Sequence, residues 1–326
     1  MEKTLVLFGY DDPHSPRTWT VRRHFEREGW AVRECRTGEK GFLRKLWDLR
    51  RQWKGLRRGT DAVCVTFPGQ YLMPFAWLLT RFPRKQLLFD AFIALSDSIV
   101  DDRRLITWRH PYAWFLYVVD TVSCSLADRV FVDTEAHRRF FLRRFRLRPE
   151  RVAVIYLETR TDLFTPREPR TVPRPTFEVF FYGTYIPLQG VAHILHAADI
   201  VAKAESRVHF TLVGGGQQAA GMRGLADALK LPNVTFVPFT PLEELARLLR
   251  NADLALGIFG TTDKAARVIP HKVVDAVACG VPVLTQDSPA IREKYQDHPG
   301  VILCPPGDPA TIARAILGMA RHAVAP

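Results

Sequence analysis

Short apolar runs alternate with longer segments of helical length along the whole chain. In the first half the apolar runs lie at 4–10, 30–35, 61–67, 86–92, 128–134 and 151–157. In the second half they lie at 178–184, 207–214, 234–239, 254–260, 281–285 and 301–306. Because these runs are short and rich in β-branched residues, they predict buried strands joined by helices, an order typical of parallel sheets.

The alternation is interrupted at 166–175, where the sequence reads PREPRTVPRP. Prolines and charges without an apolar period are typical of a linker. We therefore predict the α/β class, with a Rossmann-like doubly wound domain at 1–165, a linker at 166–176 and a second Rossmann-like domain at 177–326. Ligands of such sheets bind beyond the carboxyl ends of the strands, so we expect the site in the central cleft between the two domains.

One segment carries polar residues where a solvated helix would not need them. Residues 268–285, VIPHKVVDAVACGVPVLT, predict a helix started by Pro270 and stopped by Gly280, followed by a buried strand. Lys272 and Asp275 are three residues apart and share one helix face near its amino end. A cation and an acceptor at a helix start suit a phosphate and a sugar hydroxyl. An ordinary surface Lys–Asp pair explains the two residues equally well.

Glycines follow two of the predicted strands of the second half. Gly183 precedes Thr184, Gly190 lies near the start of the next helix, and Gly214 and Gly215 end the following strand. Glycine lets backbone N–H groups approach a phosphate closely. The spacing matches neither the dinucleotide fingerprint nor the P-loop, which argues against hydride transfer and ATP hydrolysis. Taken singly, each glycine is more typical of a tight turn.

Composition narrows the class of protein further. The chain has 326 residues, of which 47% are hydrophobic, as in a soluble protein of two domains. Its longest apolar runs, near 71–79 and 112–119, are far shorter than the roughly 20 residues of a membrane helix. The amino terminus lacks a secretory signal pattern, and the five cysteines show no paired or metal-like spacing. We therefore expect a cytoplasmic protein with buried thiols.

Positive charge is concentrated in the first half, which carries 30 Lys and Arg against 20 Asp and Glu; the remainder carries 16 against 14. Within 41–58 a stripe at helical spacing is formed by Phe42, Leu46, Leu49, Trp53 and Leu56, and arginines lie off it. A crossover helix packed on its sheet requires the same stripe, and this is the plainer interpretation. Together with six arginines at 138–148, the basic face also suits an anionic membrane surface.

A series of motifs in the second half resembles the nucleotide-sugar domain of GT-B glycosyltransferases of family 4, also called group 1. The motifs are FYGTYIPLQG (181–190), LVGGG (212–216), PNVTFVPF (232–239), ADLALGIFG (252–260), VIPHKVVDAVACGVPVLTQDSPAIRE (268–293) and PPGDPATIARAI (305–316). The first half is similar more loosely, through 87–104, 126–137 and 162–166. The resemblance, of the bacterial surface-glycan type, implies two Rossmann-like domains and a nucleoside-diphosphate sugar as donor substrate.

The resemblance also implies roles for individual residues. Asp275 occupies the position of the family's ribose-binding Glu, while Arg267 and Gln189 stand where many relatives have Glu and Lys. Lys272 and Arg267 are then the candidates to neutralise the diphosphate in catalysis. A solvated loop residue is the other interpretation of Arg267, and core packing explains Phe239 equally well. The implied donor-binding residues are Gly183, Thr184, Gly214, Gly215, Pro238, Phe239, His271, Lys272, Asp275 and Glu293.

Family members retain the anomeric configuration, which implies front-face attack assisted by the departing diphosphate. No cofactor and no metal are implied. Loop residues after predicted strands are the acceptor candidates, with Asp97 orienting the hydroxyl, although such clusters are often plain turns. The acceptor candidates are Arg17, Asp90, Ser96, Asp97 and Ser98.

The expected acceptor is a saccharide or lipid-linked saccharide, with the enzyme peripheral on the inner face of the membrane through 41–58 and 138–148. Three other classes compete with this hypothesis. They are a nucleotide-sugar epimerase of GT-B fold, a non-catalytic nucleotide-sugar binder and a nucleic-acid-binding protein. The basic segments match no known nucleic-acid motif, so we expect no nucleic acid as partner.

Overall fold

A computed structural model of the protein describes residues 3–10, 12, 15–168 and 174–322. The chain divides into two compact units, Met1–Glu158 and Thr159–Pro326. In the described residues, no helix has both the length and the apolar composition that crossing a bilayer requires.

The first unit is built on one six-stranded sheet in which every strand pair is parallel. The strand order is β2-β1-β3-β4-β5-β6. Side chains on both faces of its central strands are buried, which is why these strands read as continuous apolar runs. The strands are β1 (Lys3–Gly9), β2 (Trp30–Arg36), β3 (Ala62–Val65), β4 (Gln86–Phe92), β5 (Arg129–Val132) and β6 (Val152–Val154).

Helices cover both faces of this sheet. They are α1 (Pro16–Arg27), α2 (Phe42–Leu56), α3 (Met73–Thr80), α4 (Pro111–Leu126) and α5 (Glu135–Arg144). Val21 and Phe25 of α1 pack on one face, with Leu5 and Leu7. The other four helices contribute side chains to the core on the opposite face. Because α2 to α5 share that face, their outward sides together form one surface of the unit.

The second unit repeats the architecture, with six parallel strands in the order β12-β11-β10-β7-β8-β9. The strands are β7 (Phe177–Thr184), β8 (Val208–Gly215), β9 (Val234–Val237), β10 (Leu254–Leu256), β11 (Val283–Gln286) and β12 (Val301–Cys304). The helices are α6 (Val191–Ala204), α7 (Ala219–Ala228), α8 (Leu242–Asn251), α9 (His271–Ala278), α10 (Pro289–Tyr295) and α11 (Pro309–His322). The predicted α/β class and parallel sheets are confirmed.

The boundary between the units differs from the predicted linker at 166–176. It follows Glu158, and residues 159–168 pack on the second unit. The carbonyl of Leu163 accepts a hydrogen bond from Arg250 (2.8 Å), and the N–H of Arg167 donates to the carbonyl of Cys279 (2.9 Å). These bonds, made to residues far along the chain, explain why a local pattern placed the boundary later. Residues 169–173 of the predicted linker lie outside the described residues.

The stripe predicted for 41–58 is largely confirmed in α2. Leu49 and Trp53 are buried, and Leu46 and Leu56 pack against the core. Phe42 differs, since it is half exposed at the start of the helix. The plainer interpretation, a crossover helix packed on its sheet, therefore holds for the inward face. All five cysteines are buried free thiols.

Candidate functional site

The carboxyl ends of β7 and β8 lie side by side, and glycines are paired across the two strands there. Gly183 pairs with Gly214, and Thr184 pairs with Gly215. A Cβ built on Gly214 would lie 2.0 Å from the carbonyl oxygen of Gly183, so any larger residue would push the two strand ends apart. The glycines that end these two strands therefore meet at one edge of the sheet.

The loop after β7 is fixed to the loop after β10. Gly190 adopts the left-handed conformation, with φ of 67°, and caps α6. A Cβ there would lie 2.5 Å from the carbonyl carbon of Phe259. The N–H of Phe259 donates to the carbonyl of Gln189 (3.1 Å). Only glycine combines this backbone conformation with so close an approach.

Helix α9 presents Lys272 to the end of β7. The Lys272 ammonium donates a hydrogen bond to the side-chain oxygen of Gln189 and lies 4.0 Å from the centre of the Phe181 ring. A Cβ on Gly183 would come within 3.0 Å of the same ammonium. Gln189 therefore holds the ammonium of Lys272 beside the strand end.

Asp275 lies one helical turn further along α9 and contacts the same strand. The hydroxyl groups of Thr159 and Tyr182 each donate to one of its carboxylate oxygens at 2.5 Å. Burial raises the pKa of Asp275 to about 6, and the two hydrogen bonds oppose this shift. The expectation that Lys272 and Asp275 share one helix face is confirmed by their contacts with neighbouring residues of β7.

The two charges are buried without an opposite charge. Lys272 and Asp275 are each 4% exposed. Within the described part of the chain neither takes part in an ion pair. Burial lowers the pKa of Lys272 well below its usual range. Since an uncompensated buried charge is costly, an anion near Lys272 and a hydroxyl donor near Asp275 would both be stabilising.

An exposed aromatic side chain lies beside the glycine edge. Phe239, in the loop after β9, is 66% exposed, and its ring lies 3.4 Å from where a Cβ on Gly215 would be. Pro238 and Thr184 are exposed near the same strand ends. Core packing therefore does not account for Phe239, and the ring is available to a flat ligand group.

Three further predicted donor residues lie around the start of α9. His271 is its first residue and is half-buried. Arg267 closes the short turn Ala265–Arg267 before the helix, and Glu293 lies in α10, which packs against that turn. Both side chains are half-buried, and each has an interaction partner. Arg267 is therefore not a solvated loop residue, which was the other interpretation of this position.

In the first unit, the acceptor candidates Arg17 and Asp90 pair with each other. The Arg17 guanidinium donates to both oxygens of Asp90, at 2.5 to 3.1 Å, and to the carbonyl of Ile155 at 2.6 Å. Both side chains are buried. The pair ties the start of α1 to the end of β4, so its structural role is evident and a role in acceptor binding stays a prediction.

The loop after β4 is organised by a residue that the sequence did not single out. Asp120 of α4 accepts hydrogen bonds from the N–H of Leu95 (2.9 Å) and from the N–H and hydroxyl of Ser96 (2.9 and 2.7 Å). Burial raises the pKa of Asp120 to about 6. Asp97 and Ser98 follow in a buried π-helical turn, Asp97–Asp102. Asp120 therefore fixes the position of the predicted acceptor loop.

The comparison with known families decides the class of the second unit. Residues 176–322 match the family described as Glycosyl transferases group 1.

The second unit belongs to the group 1 glycosyltransferases.

Curated relatives match this chain over part of their length. A D-inositol 3-phosphate glycosyltransferase of Mycobacterium sp. (strain KMS) is 30% identical over 175 residues, which cover 49% of this chain and 40% of that protein. The amylovoran biosynthesis glycosyltransferase AmsK of Erwinia amylovora is 27% identical over 135 residues, which cover 41% of this chain and 33% of that protein. Each match therefore spans less than half of the relative.

Solved structures resemble both units. HepE of Anabaena, in complex with UDP and glucose, superposes with a TM-score of 0.69 at 17% identity, over 98% of this chain and 90% of that one. Sucrose-phosphate synthase from Thermosynechococcus elongatus gives a TM-score of 0.73 at 17% identity, with the same coverage. At this identity the likeness concerns the fold, and the predicted GT-B fold is confirmed.

Sequence reasoning missed three groups at the edge of the glycosyltransferase unit. Tyr182 precedes Gly183 within a quoted motif, and strand alternation could have separated its phenol from the buried Phe181. Gln189 was noted only as a departure from relatives. Thr159 carried no local signal, because its contact with Asp275 joins residues 116 positions apart.

Proposed function

We propose that the protein is a retaining glycosyltransferase that transfers a sugar from a nucleoside-diphosphate sugar to an acceptor hydroxyl, in the synthesis of a membrane-associated or lipid-linked saccharide. The carrying observation is the buried pair of unneutralised charges, Lys272 and Asp275, at the glycine edge of a group 1 glycosyltransferase unit. A nucleic-acid-binding protein gives no reason for a buried carboxylate at that edge, and turnover of the donor separates a transferase from an epimerase or a non-catalytic nucleotide-sugar binder.

Each charge suits one part of the donor. A diphosphate beside Lys272 would restore the ammonium form that burial disfavours. The Asp275 carboxylate already accepts hydrogen bonds from Thr159 and Tyr182. Its remaining lone pairs can accept a further hydrogen bond from a ribose hydroxyl. The exposed Phe239 ring next to Gly215 offers a stacking surface for the base.

In the proposed reaction the bond from the anomeric carbon to the diphosphate breaks, and a bond to the acceptor oxygen forms on the same face. The acceptor proton passes to the departing phosphate oxygen. Lys272 would then stabilise negative charge that grows as the diphosphate leaves. Arg267 is the second candidate for this role, and Asp97 the candidate for orienting the acceptor hydroxyl.

The relatives guide the choice of substrates for a first test. HepE has been solved in complex with UDP-glucose, which makes UDP-sugars the first donors to try. The mycobacterial relative is named for D-inositol 3-phosphate, which suggests a phosphorylated polyol among the acceptors. The basic outward side of α2, with Arg50, Arg51 and Lys54 exposed, favours acceptors at an anionic membrane.

The test is a panel of radiolabelled nucleotide sugars incubated with the protein, with release of free sugar or transfer to membrane extract as the readout. We expect turnover of at least one donor and a product whose anomeric configuration, read by NMR, matches the donor. Asp275→Ala should lose turnover, and Asp199→Ala, on the exposed side of α6, should not. Formation of a donor isomer alone would favour the epimerase, and binding of nucleic acid without turnover of any donor would contradict the proposal.

A further inference from the structure

The outward side of α4 is apolar and exposed. Trp114, Phe115, Val118 and Val122 recur at helical spacing and are between 40% and 56% exposed. The only acidic or basic residue of the helix is Asp120, which is buried and holds the loop after β4. A surface helix normally carries charged and polar residues on its outer side, so this side is built for contact with an apolar phase.

The apolar side continues onto α3, which packs against α4. Leu78 of α3 is 64% exposed, and Phe82, just beyond the helix, is 84% exposed. In the described residues, all but two of the exposed large hydrophobic side chains belong to the first unit. We call the outward sides of α3 and α4, with Phe82, the α3–α4 surface.

Aromatic rings at one end of the α3–α4 surface contact one another. The ring of Phe115 lies 5.7 Å from Tyr112 and 6.4 Å from Tyr71, and Trp114 lies 5.7 Å from Trp108. Tyrosine and tryptophan combine an apolar body with a polar group, which is the composition that membrane interfaces favour.

The margin of the α3–α4 surface is basic. Residues 71–126 contain six Lys and Arg, and among the acidic residues of this stretch only Asp101 is exposed, because the other four are buried. Exposed arginines stand at both ends, with Arg81 and Arg84 after α3 and Arg104 and Arg109 before α4. An apolar centre with a cationic margin is complementary to a bilayer that carries anionic headgroups.

A cavity of about 310 Å³ opens where α3 and α4 end. Its lining includes Trp77, Arg81, Arg84 and Lys85. Arg84 pairs with Asp128 (2.7 Å), and the Arg81 guanidinium lies 4.8 Å from the centre of the Trp77 ring. Arg81 and Lys85 take part in no ion pair within the described residues. Two available cations beside an exposed apolar surface suit the phosphate of a lipid headgroup.

We propose that the α3–α4 surface docks on a bilayer containing anionic phospholipids, with Trp114, Phe115, Val118 and Val122 entering the interface and Arg81 and Lys85 meeting headgroup phosphates. This surface is distinct from the segments 41–58 and 138–148, whose exposed side chains are mainly basic. Because α2 to α5 lie on one face of the sheet, those segments would add charge attraction around the apolar contact.

The charge distribution favours lipid over other occupants. A second copy meeting this surface across a two-fold axis would bring two cationic margins together, which is repulsive. A nucleic acid would use the arginines but has no use for exposed Leu78, Val118 and Val122. A bilayer satisfies both the apolar centre and the basic margin.

Flotation with vesicles tests the proposal. The protein should float with vesicles of phosphatidylcholine and phosphatidylglycerol in a 7:3 ratio and not with phosphatidylcholine alone, and raising the salt should weaken binding. Val118→Asp should weaken binding by roughly tenfold or more, because it places a charge in the apolar contact. Ile200→Asp, on the exposed side of α6 in the second unit, is the matched control and should bind as the unsubstituted protein does.

Phe82→Glu provides a second variant outside any helix, and circular dichroism checks that each variant is folded. Equal vesicle binding by Val118→Asp, Phe82→Glu and the unsubstituted protein would overturn the proposal. So would absence of vesicle binding together with a dimer, seen by analytical ultracentrifugation, that Val118→Asp dissociates. Binding is measured without donor or acceptor, so this outcome is independent of the proposed transfer reaction.

Discussion

Asp275 is a buried carboxylate that the fold keeps at a cost to its own stability. Its hydrogen bonds come from two hydroxyl groups, Thr159 and Tyr182, rather than from a cation. An uncharged side chain at this position would stabilise the folded chain better than the carboxylate does. Such residues are found where a ligand supplies the missing partner, which is the role proposed here.

Replacing Asp275 by Asn should therefore change stability in a pH-dependent way. Burial raises the carboxyl pKa from 3.8 to about 6 in the folded protein, so the folded state holds the proton more tightly than the unfolded chain. The contribution of this carboxyl to stability is then present below about pH 4 and is lost as the pH rises through 6. We expect the melting temperature of Asp275→Asn, relative to the unsubstituted protein, to be higher at pH 8 than at pH 4. A difference that does not vary between these two pH values would contradict the burial argument.

The buried Arg17–Asp90 ion pair, unlike Asp275, stabilises the fold of the first unit. Removing the guanidinium in Arg17→Ala leaves a buried carboxylate alone and should lower the free energy of unfolding by about 3–5 kcal/mol. The double variant Arg17→Met with Asp90→Leu should recover most of the loss, as urea denaturation would show. Arg247→Ala, which breaks a solvent-exposed pair with Glu244, is the control and should change little. Equal losses in the single and double variants would count against the pair as the cause.

At the scale of elements, the strands could be predicted from the sequence because both sheets are parallel and buried. Each of the twelve predicted runs overlaps one observed strand. Helix α9 also lies where Pro270 and Gly280 placed it, with Pro270 as its cap and Gly280 in the left-handed conformation. Local chemistry sufficed at these positions, since caps and apolar periods depend on neighbouring residues alone.

Features set by distant contacts could not be predicted in this way. Residues 159–165 were assigned to the first domain. The bond from Thr159 to Asp275 and the bond from Arg250 to Leu163 place them with the second unit. The apolar runs near 71–79 and 112–119 became α3 and α4, but their exposure depends on what the rest of the unit leaves uncovered. The roles of individual site residues likewise stay predictions.

The loop that joins β7 to α6 allows an element-scale prediction. Gly190→Ala would force a Cβ against the backbone of Phe259 in a left-handed conformation, and it should cost about 3 kcal/mol or more of unfolding free energy. Gly29→Ala is the matched control, because Gly29 has φ of 78° but open space around its Cβ position, so about 1–2 kcal/mol is expected. Similar losses in the two variants would show that the close approach between the loops is unimportant.

At the scale of the whole molecule, the two units carry different kinds of surface. The second unit contains the family match, the glycine edge and the buried charges. The first contains most of the exposed apolar side chains, and the first half of the sequence contains most of the excess positive charge. This division fits a protein whose second unit binds a soluble donor and whose first unit meets a membrane and the acceptor there, as proposed above.

Lys272 and Asp275 are proposed to bind the diphosphate and the ribose of a nucleotide. The most direct measurement is isothermal titration calorimetry with UDP, GDP and ADP, followed by the nucleoside of whichever diphosphate binds. Lys272→Met should weaken binding of the diphosphate by about tenfold or more and leave binding of the nucleoside nearly unchanged. Asp275→Ala should weaken binding of both. Lys203→Met, on the exposed side of α6, should match the unsubstituted protein. Failure to bind any of the diphosphates, or equal effects of Lys272→Met on diphosphate and nucleoside, would contradict the account.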